Sequence, residues 1–188
     1  GIRLSAINER PGRIAHRIVP EGESLLWCAR EIERLRRDGS DAAGRNAVLG
    51  YVPDCDGDRG NIVFWDEGSG SSGILGAQEV FALCVISELA FLAHAGRIRC
   101  VPGAAAEPPA AIAINDPTSL LVDDIAGAFG VRVDRAEVGE ANVVNLARKL
   151  RSEGFIVRIL GEGSNGGNIT HPSAVLDQMG VNMTLPIA

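Results

Sequence analysis

The chain has 188 residues, 46% hydrophobic and only 4% aromatic, with a net charge of -6. It is long enough for one respectable core or two small ones, short for a complete multidomain enzyme, and too apolar to be disordered throughout. The acidic balance argues against nucleic acid or an anionic membrane as the main partner, so an anionic substrate would need local positive charge.

Ile2 to Ile7 alternates apolar and polar residues as a half-buried strand would, and Asn8 to Gly12 follows as a polar turn. From Glu23 to Arg37 the spacing of Leu25, Leu26, Ala29, Ile32 and Leu35 predicts an amphipathic helix, with Arg34, Arg36 and Arg37 on its solvated face and Gly39 as the stop. Val48 to Val52 and Asn61 to Trp65 read as strands flanking an acidic loop, and Asp66 to Gly73 as a flexible turn. Ala77 to Ala95 is apolar nearly all round, which predicts a helix packed on a sheet and ended by Gly96. Its apolar stretch, Val80 to Ala95, contains Ser87, Glu88 and His94 and reads as too short to span a bilayer. With no signal peptide at the start, cytoplasm is the expected location. The opening at Gly1, directly in strand-like sequence, reads as a piece of something longer.

Ile98 to Val101 reads as a short strand, and the Ala, Gly and Pro run from Pro102 to Pro109 as a domain boundary. The pattern then restarts. Ala110 to Ile114 is a strand, Asp116-Pro117 a cap, Thr118 to Phe129 a helix stopped by Gly130, Val131 to Val138 a strand, Glu140 to Ser152 a helix and Phe155 to Leu160 a strand. The alternation predicts an α/β protein: two consecutive small three-layer-type α/β units with mixed sheets, residues 1–103 and 104–188. Cys28, Cys55, Cys84 and Cys100 show no Cys-x-x-Cys spacing and read as reduced thiols, three in apolar contexts and Cys55 as a spacer in the acidic loop.

That loop, Asp54-Cys-Asp-Gly-Asp-Arg59, puts Asp54, Asp56 and Asp58 at alternate positions between two strands. Like charges so close repel, and a divalent cation makes the arrangement favourable; oxygen ligands point to magnesium first. A calcium hand would need Gly at the sixth position and Glu at the twelfth, where this chain has Arg59 and Trp65, so that pattern fails. Two alternatives stand beside the metal loop: a plain acidic turn, and the Asp-x-Asp-Gly of a haloacid-dehalogenase-like phosphatase, whose pattern continues with Thr or Val where Asp58 stands. Further on, Gly161-Glu-Gly-Ser-Asn-Gly-Gly-Asn168 offers one carboxylate, one hydroxyl and two amides on a glycine-rich backbone. Such a set can accept from and donate to neighbouring hydroxyls of a sugar, and also suits a polar loop that merely closes a strand.

The acidic loop resembles the metal loop of the α-D-phosphohexomutases, which reads Asp-x-Asp-Gly-Asp-Arg. That family places a sugar-reading Gly-Glu-x-Ser-Gly loop in its next domain, and Gly161-Glu-Gly-Ser-Asn-Gly166 is similar to it with Asn165 interposed. It is also similar to the Gly-Glu-Gly-Asn-Gly-Gly form of branches with phosphoglucosamine mutase activity, with one residue added. Val138-Gly-Glu-Ala-Asn-Val143 is similar to the Val-Gly turn of the same domain, without the Lys or Arg that many members carry shortly after the Gly. The resemblance covers about Gly1 to Ile169 and implies the second domain, in part, and the third domain of a four-domain enzyme.

It implies a magnesium-dependent interconversion of hexose 1- and 6-phosphates through a phosphoserine and a bisphosphate. Asp54, Asp56 and Asp58 match the metal ligands, Arg59 the catalytic arginine beside them, and Glu162 and Ser164, with Asn165, the substrate-binding loop. Neither the phosphoserine motif Ser-His-Asn-Pro nor the terminal Arg-x-Ser-Gly-Thr loop occurs; His171-Pro172-Ser173 falls in the wrong place and order and reads as a turn. This chain alone is therefore expected to lack turnover. A sheet edge left open by the omitted first strand and helix of the second domain is expected to pair between copies as a homodimer. A magnesium and sugar-phosphate binding module without catalysis is the alternative from another class.

Overall fold

The computed structural model describes residues 4–10, 12–13, 21–38, 46–54, 60–163, 166–170 and 184–187, the last two segments as backbone. The chain divides into two compact units, Gly1–Gly76 and Ala77–Ala188.

In the first unit, Leu25, Ala29 and Ile32 recur at helical spacing and bury against Val52 and Val63. They belong to a 3-10 turn, Gly22–Leu25, that runs into helix α1, Leu26–Asp38. The sheet beneath is antiparallel, in the order β1 (Leu49–Pro53), β2 (Gly60–Asp66), β3 (Ser71–Ile74). Gly50 lies where helix and strand approach closely, since a Cβ there would overlap Cys28 Sγ. Strand β3 occupies residues expected to form a flexible turn. Ser71-Ser-Gly-Ile carries no apolar alternation, and its place comes from pairing to β2, from Phe64 lying against Gly73, and from Ser72 Oγ donating to Glu33 Oε1 at 2.8 Å. That hydroxyl holds the Glu33 carboxyl below its usual range. On the outer face of α1, Arg34 pairs with Glu31 and Asp38, and Arg37 with Glu33. Arg36 departs from the expected solvated face: its guanidinium lies 4.6 Å from the Trp65 ring centroid and pairs with Glu67. Residues 4–7, expected as a strand, form none.

The second unit begins with helix α2, Ala77–His94. Phe81, Val85, Leu89 and Leu92 of α2 share a core with Ile112, Ile114 and Ile159 of the sheet and with Val122 and Ala126 of helix α3, Leu121–Ala128. Each of the larger of these side chains, Ala126 aside, contributes roughly 1.5–3 kcal/mol on burial. By length and composition alone α2 is apolar enough to cross a membrane, contrary to the sequence expectation. One side of it packs on the sheet, while Leu83, Ile86 and Phe91 are exposed.

The sheet has five strands in the order β5 (Arg132–Ala136), β4 (Ala110–Asn115), β6 (Ile156–Glu162), β7 (Gly166–Thr170), β8 (Thr184–Ile187). β4 runs parallel to β5 and β6, while β7 and β8 are antiparallel additions that sequence periodicity missed. β4 is buried along its whole length, because Ile112 and Ile114 face α2 and α3 while Ala111 and Ala113 face helix α4, Glu140–Ser152. This unit is the expected three-layer arrangement with a mixed sheet; the first unit's described strands are all antiparallel.

β6 contains a bulge. β4 advances two positions from Ala110 to Ile112 while β6 advances three, from Ile156 to Ile159. Val157 and Leu160 consequently face α4, while Ile159 packs toward α2 and the neighbouring Arg158 reaches Glu88 of α2.

Two expected elements are shorter than their patterns. Residues 98–101 make only one bridge, Arg99 to Glu107, and α3 starts at Leu121 because Asp116 to Ser119 form a separate turn. Arg135 ties that turn down, donating to the carbonyls of Asn115 (3.3 Å), Asp116 (2.9 Å) and Thr118 (2.9 Å) and pairing with Asp123. Cys28, Cys84 and Cys100 are free and partly buried; burial pushes the Cys28 and Cys84 thiols up, Cys84 to about 11.

Candidate functional site

The first candidate site is the tip of the β1–β2 hairpin. Register pairs Pro53 with Gly60, so the six residues Asp54 to Arg59 form the hairpin connection. Asp54 is buried at 6% exposure, and the nearby strand residue Asn61, opposite Val52, is buried at 3%. Gly60 leaves room for Tyr51, whose ring occupies the space a Cβ would take. Asp56, Asp58 and Arg59 lie outside the described residues, as does Cys55. Among the described residues no group of three metal-binding side chains forms, and Asp54 is the only member of the proposed ligand set described. Its donor chemistry, a carboxylate at the mouth of a short connection with two further aspartates, fits a hard divalent ion.

The second candidate site sits at the carboxyl end of β6. Glu162 is the last residue of that strand, and its Oε1 accepts the backbone N–H of Gly139 at 2.6 Å. Gly139 is the residue before α4, with φ 126 and ψ 127, a conformation that favours glycine. Gly139 has no capping side chain of its own, and the Glu162 carboxylate lies at this helix N-terminus, the positive end of the helix dipole. Asn142 braces the turn from inside the helix, its Nδ2 donating to Val138 O at 3.1 Å. The Val138-Gly139 turn and the Gly161-Glu162 loop, read separately from the sequence, are thus joined by a hydrogen bond. Ser164 and Asn165 lie outside the described residues, so Glu162 is the member of the substrate-binding set whose place is described.

Three residues missed by sequence reasoning stand next to Glu162. Thr118 Oγ1 accepts the Gly163 N–H at 2.9 Å and donates to Asn115 Oδ1 at 2.6 Å. Gln78, in the first turn of α2, accepts the Ser119 N–H at 2.9 Å and donates to Pro117 O at 3.3 Å. Asn115 and Thr118 are buried, and Asn115 Nδ2 has no partner, which costs about 1–3 kcal/mol. The sequence signal was slight: a strand ending in Asn-Asp-Pro-Thr is also an ordinary helix start, and Gln78 looks like any surface helix residue. Arg135 is committed to the Asn115–Thr118 turn and to Asp123.

No protein-family model matches the chain, and no curated protein sequence matches it. Among solved structures, an Aspergillus fumigatus N-acetylphosphoglucosamine mutase is similar at a TM-score of 0.43 and 17% identity, over 84% of this chain and 27% of that one. This chain thus spans about a quarter of that structure. A likeness so distant assigns neither family nor activity. The α/β architecture stands on the strands and helices themselves.

Proposed function

We propose that this chain supplies the metal-holding and sugar-reading parts of a magnesium-dependent phosphohexomutase, which interconverts hexose 1- and 6-phosphates by phosphoryl transfer. The observation that carries the reading is the 2.6 Å bond from Gly139 N–H to Glu162 Oε1, because it unites the two motifs of the second unit that the family resemblance singles out. In the first unit, the support is the acidic loop's position as a hairpin connection, with Asp54 at its entrance.

Asp54, Asp56 and Asp58 would hold the magnesium, and Arg59 would take the charge of the phosphoryl group beside them. Bound there, the ion supplies charge neutralisation, the main requirement of phosphoryl transfer. Glu162, with Ser164 and Asn165, would read sugar hydroxyls: a carboxylate fixed at a helix N-terminus accepts hydrogen bonds from a set direction. Phosphoserine and terminal phosphate-binding parts would have to come from elsewhere. Pairing of two copies through a sheet edge belongs to the same proposal, and sedimentation showing only monomer would remove it.

The test is a magnesium titration followed by amide NMR on the wild type and Asp56→Asn, then a hexose phosphate titration on the wild type and Glu162→Gln. Saturable shifts at Gly57, Asp58 and Arg59 that vanish in Asp56→Asn support the metal loop. Sugar-phosphate shifts that vanish in Glu162→Gln support the recognition loop, and their persistence would sink that role. Generic ester hydrolysis abolished by Asp54→Asn would instead favour a dehalogenase-like phosphatase.

A further inference from the structure

Gly163 is held more closely than a strand-closing loop requires. Its N–H is bonded to the buried Thr118 hydroxyl at 2.9 Å, and a Cβ on it would overlap Gln78 Oε1 and press on Thr118 Cγ2. The hydroxyl is used in both directions, accepting from Gly163 and donating to Asn115 Oδ1, so its rotor has one setting. Asn115, 1% exposed, keeps that role although its own Nδ2 is unpartnered. Gln78 joins α2 to the same turn through Ser119 N–H and Pro117 O.

The consequence for Glu162 is geometric. Its side chain is tied on the α4 side through Gly139, and the next peptide is tied on the opposite side through Thr118. Two anchors on opposite layers leave the Glu162-Gly163 unit little freedom to rotate about the strand axis. A recognition carboxylate gains from such restraint, because a small misplacement of a directional acceptor costs binding.

We propose that Thr118 is a positioning residue for the recognition loop. Its hydroxyl, oriented by Asn115 and backed by Gln78, sets the Gly163 peptide and thereby the affinity of Glu162 for a hexose phosphate. The proposal rests on the sugar-recognition reading above. Thr118 acts through the backbone and touches no substrate.

The experiment titrates glucose 6-phosphate, mannose 6-phosphate and N-acetylglucosamine 6-phosphate into the whole 188-residue chain, with amide NMR as the readout. Hydrogen exchange at Gly163 and thermal unfolding are followed in the same samples. Thr118→Val keeps the shape but neither hydrogen bond; affinity for the sugar phosphate that binds should fall about tenfold with loss of Gly163 protection, the loss of one well-placed polar contact. Thr118→Ser restores both bonds and should return affinity to within about threefold of wild type by the same measure. Gln78→Ala, which leaves the Thr118 bonds in place, should weaken affinity several-fold and serves if Thr118→Val does not fold.

A purely structural role would lower the melting temperature while the folded protein bound as tightly as wild type, and that result overturns the proposal. Wild type that binds a sugar phosphate while Thr118→Val, or Gln78→Ala in its place, binds equally well overturns the positioning role alone. Wild type that binds none of the three removes the recognition reading, and this inference with it.

Discussion

The guanidinium of Arg158 holds Glu88 Oε1 through Nε at 2.8 Å and Nη2 at 2.6 Å, joining β6 to α2 with both side chains largely buried. A glutamate in the middle of an apolar helix is explained by this partner seventy residues away in sequence. Removing one member leaves the other charge in a low-dielectric layer, so Glu88→Ala is expected to cost about 3–5 kcal/mol. The paired replacement Glu88→Leu with Arg158→Met should restore stability to near or above wild type. Urea unfolding of the three proteins decides; a cost for Glu88→Ala well below 1 kcal/mol would show that water already reaches the pair.

At the hairpin tip, Gly60→Ala should destabilise the first unit by about 1–3 kcal/mol, because the new methyl group meets the Tyr51 ring. Adding Tyr51→Ala removes the obstruction, so the double variant should be less unstable than the sum of its single changes. Additive losses in a double-mutant cycle would show that the ring is not what excludes the methyl group.

Arg135→Lys should lower stability by about 1–3 kcal/mol, since an ammonium cannot replace a planar fork reaching three carbonyls and Asp123 at once. Thermal unfolding measures the loss, and hydrogen exchange should localise it to residues 116–123. A uniform change across the second unit would contradict a clamp on that turn.

Cys84 supplies a pH dependence. Burial raises its thiol to about 11 from an ordinary 9.0, because the folded interior disfavours the thiolate. Its contribution to stability is full below pH 9 and falls as pH rises toward 11, since the unfolded chain deprotonates first. Cys84→Ala should flatten that part of the stability curve. Iodoacetamide at pH 8 should label Cys84 far more slowly than a free thiol, and rapid labelling there would contradict the burial.

What the sequence made legible followed from periodicity. The apolar spacing in α1, α2 and α4 and the run of small and branched residues in β4 marked elements whose cores close as expected. Elements without an apolar signature were invisible: β3 is a Ser-rich edge held by backbone pairing, and β7 is built on Gly166-Gly-Asn. The start of α3 was misplaced because Asp116-Pro117, a good helix opening in isolation, is held as a turn by Arg135. At the second candidate site, Glu162 stands out in the sequence by its glycine neighbours, whereas Thr118 and Gln78 do not. Thr118 and Gln78 are marked by the backbone N–H groups they meet, which residue type alone does not reveal. Asp56, Asp58, Arg59, Ser164 and Asn165 fall outside the described residues.

The extra residue in β6 is absorbed where it enters. Val157 faces α4, Arg158 and Ile159 both turn to the α2 side, and Leu160 faces α4 again, so alternation resumes and Glu162, two positions on, emerges beside Gly139. Removing Arg158 would leave a regular ladder with Glu162 on the same face, yet Glu88 would lose its partner. The bulge thus lets β6 send a charged side chain into the α2 layer without moving the carboxylate four residues on from its helix end.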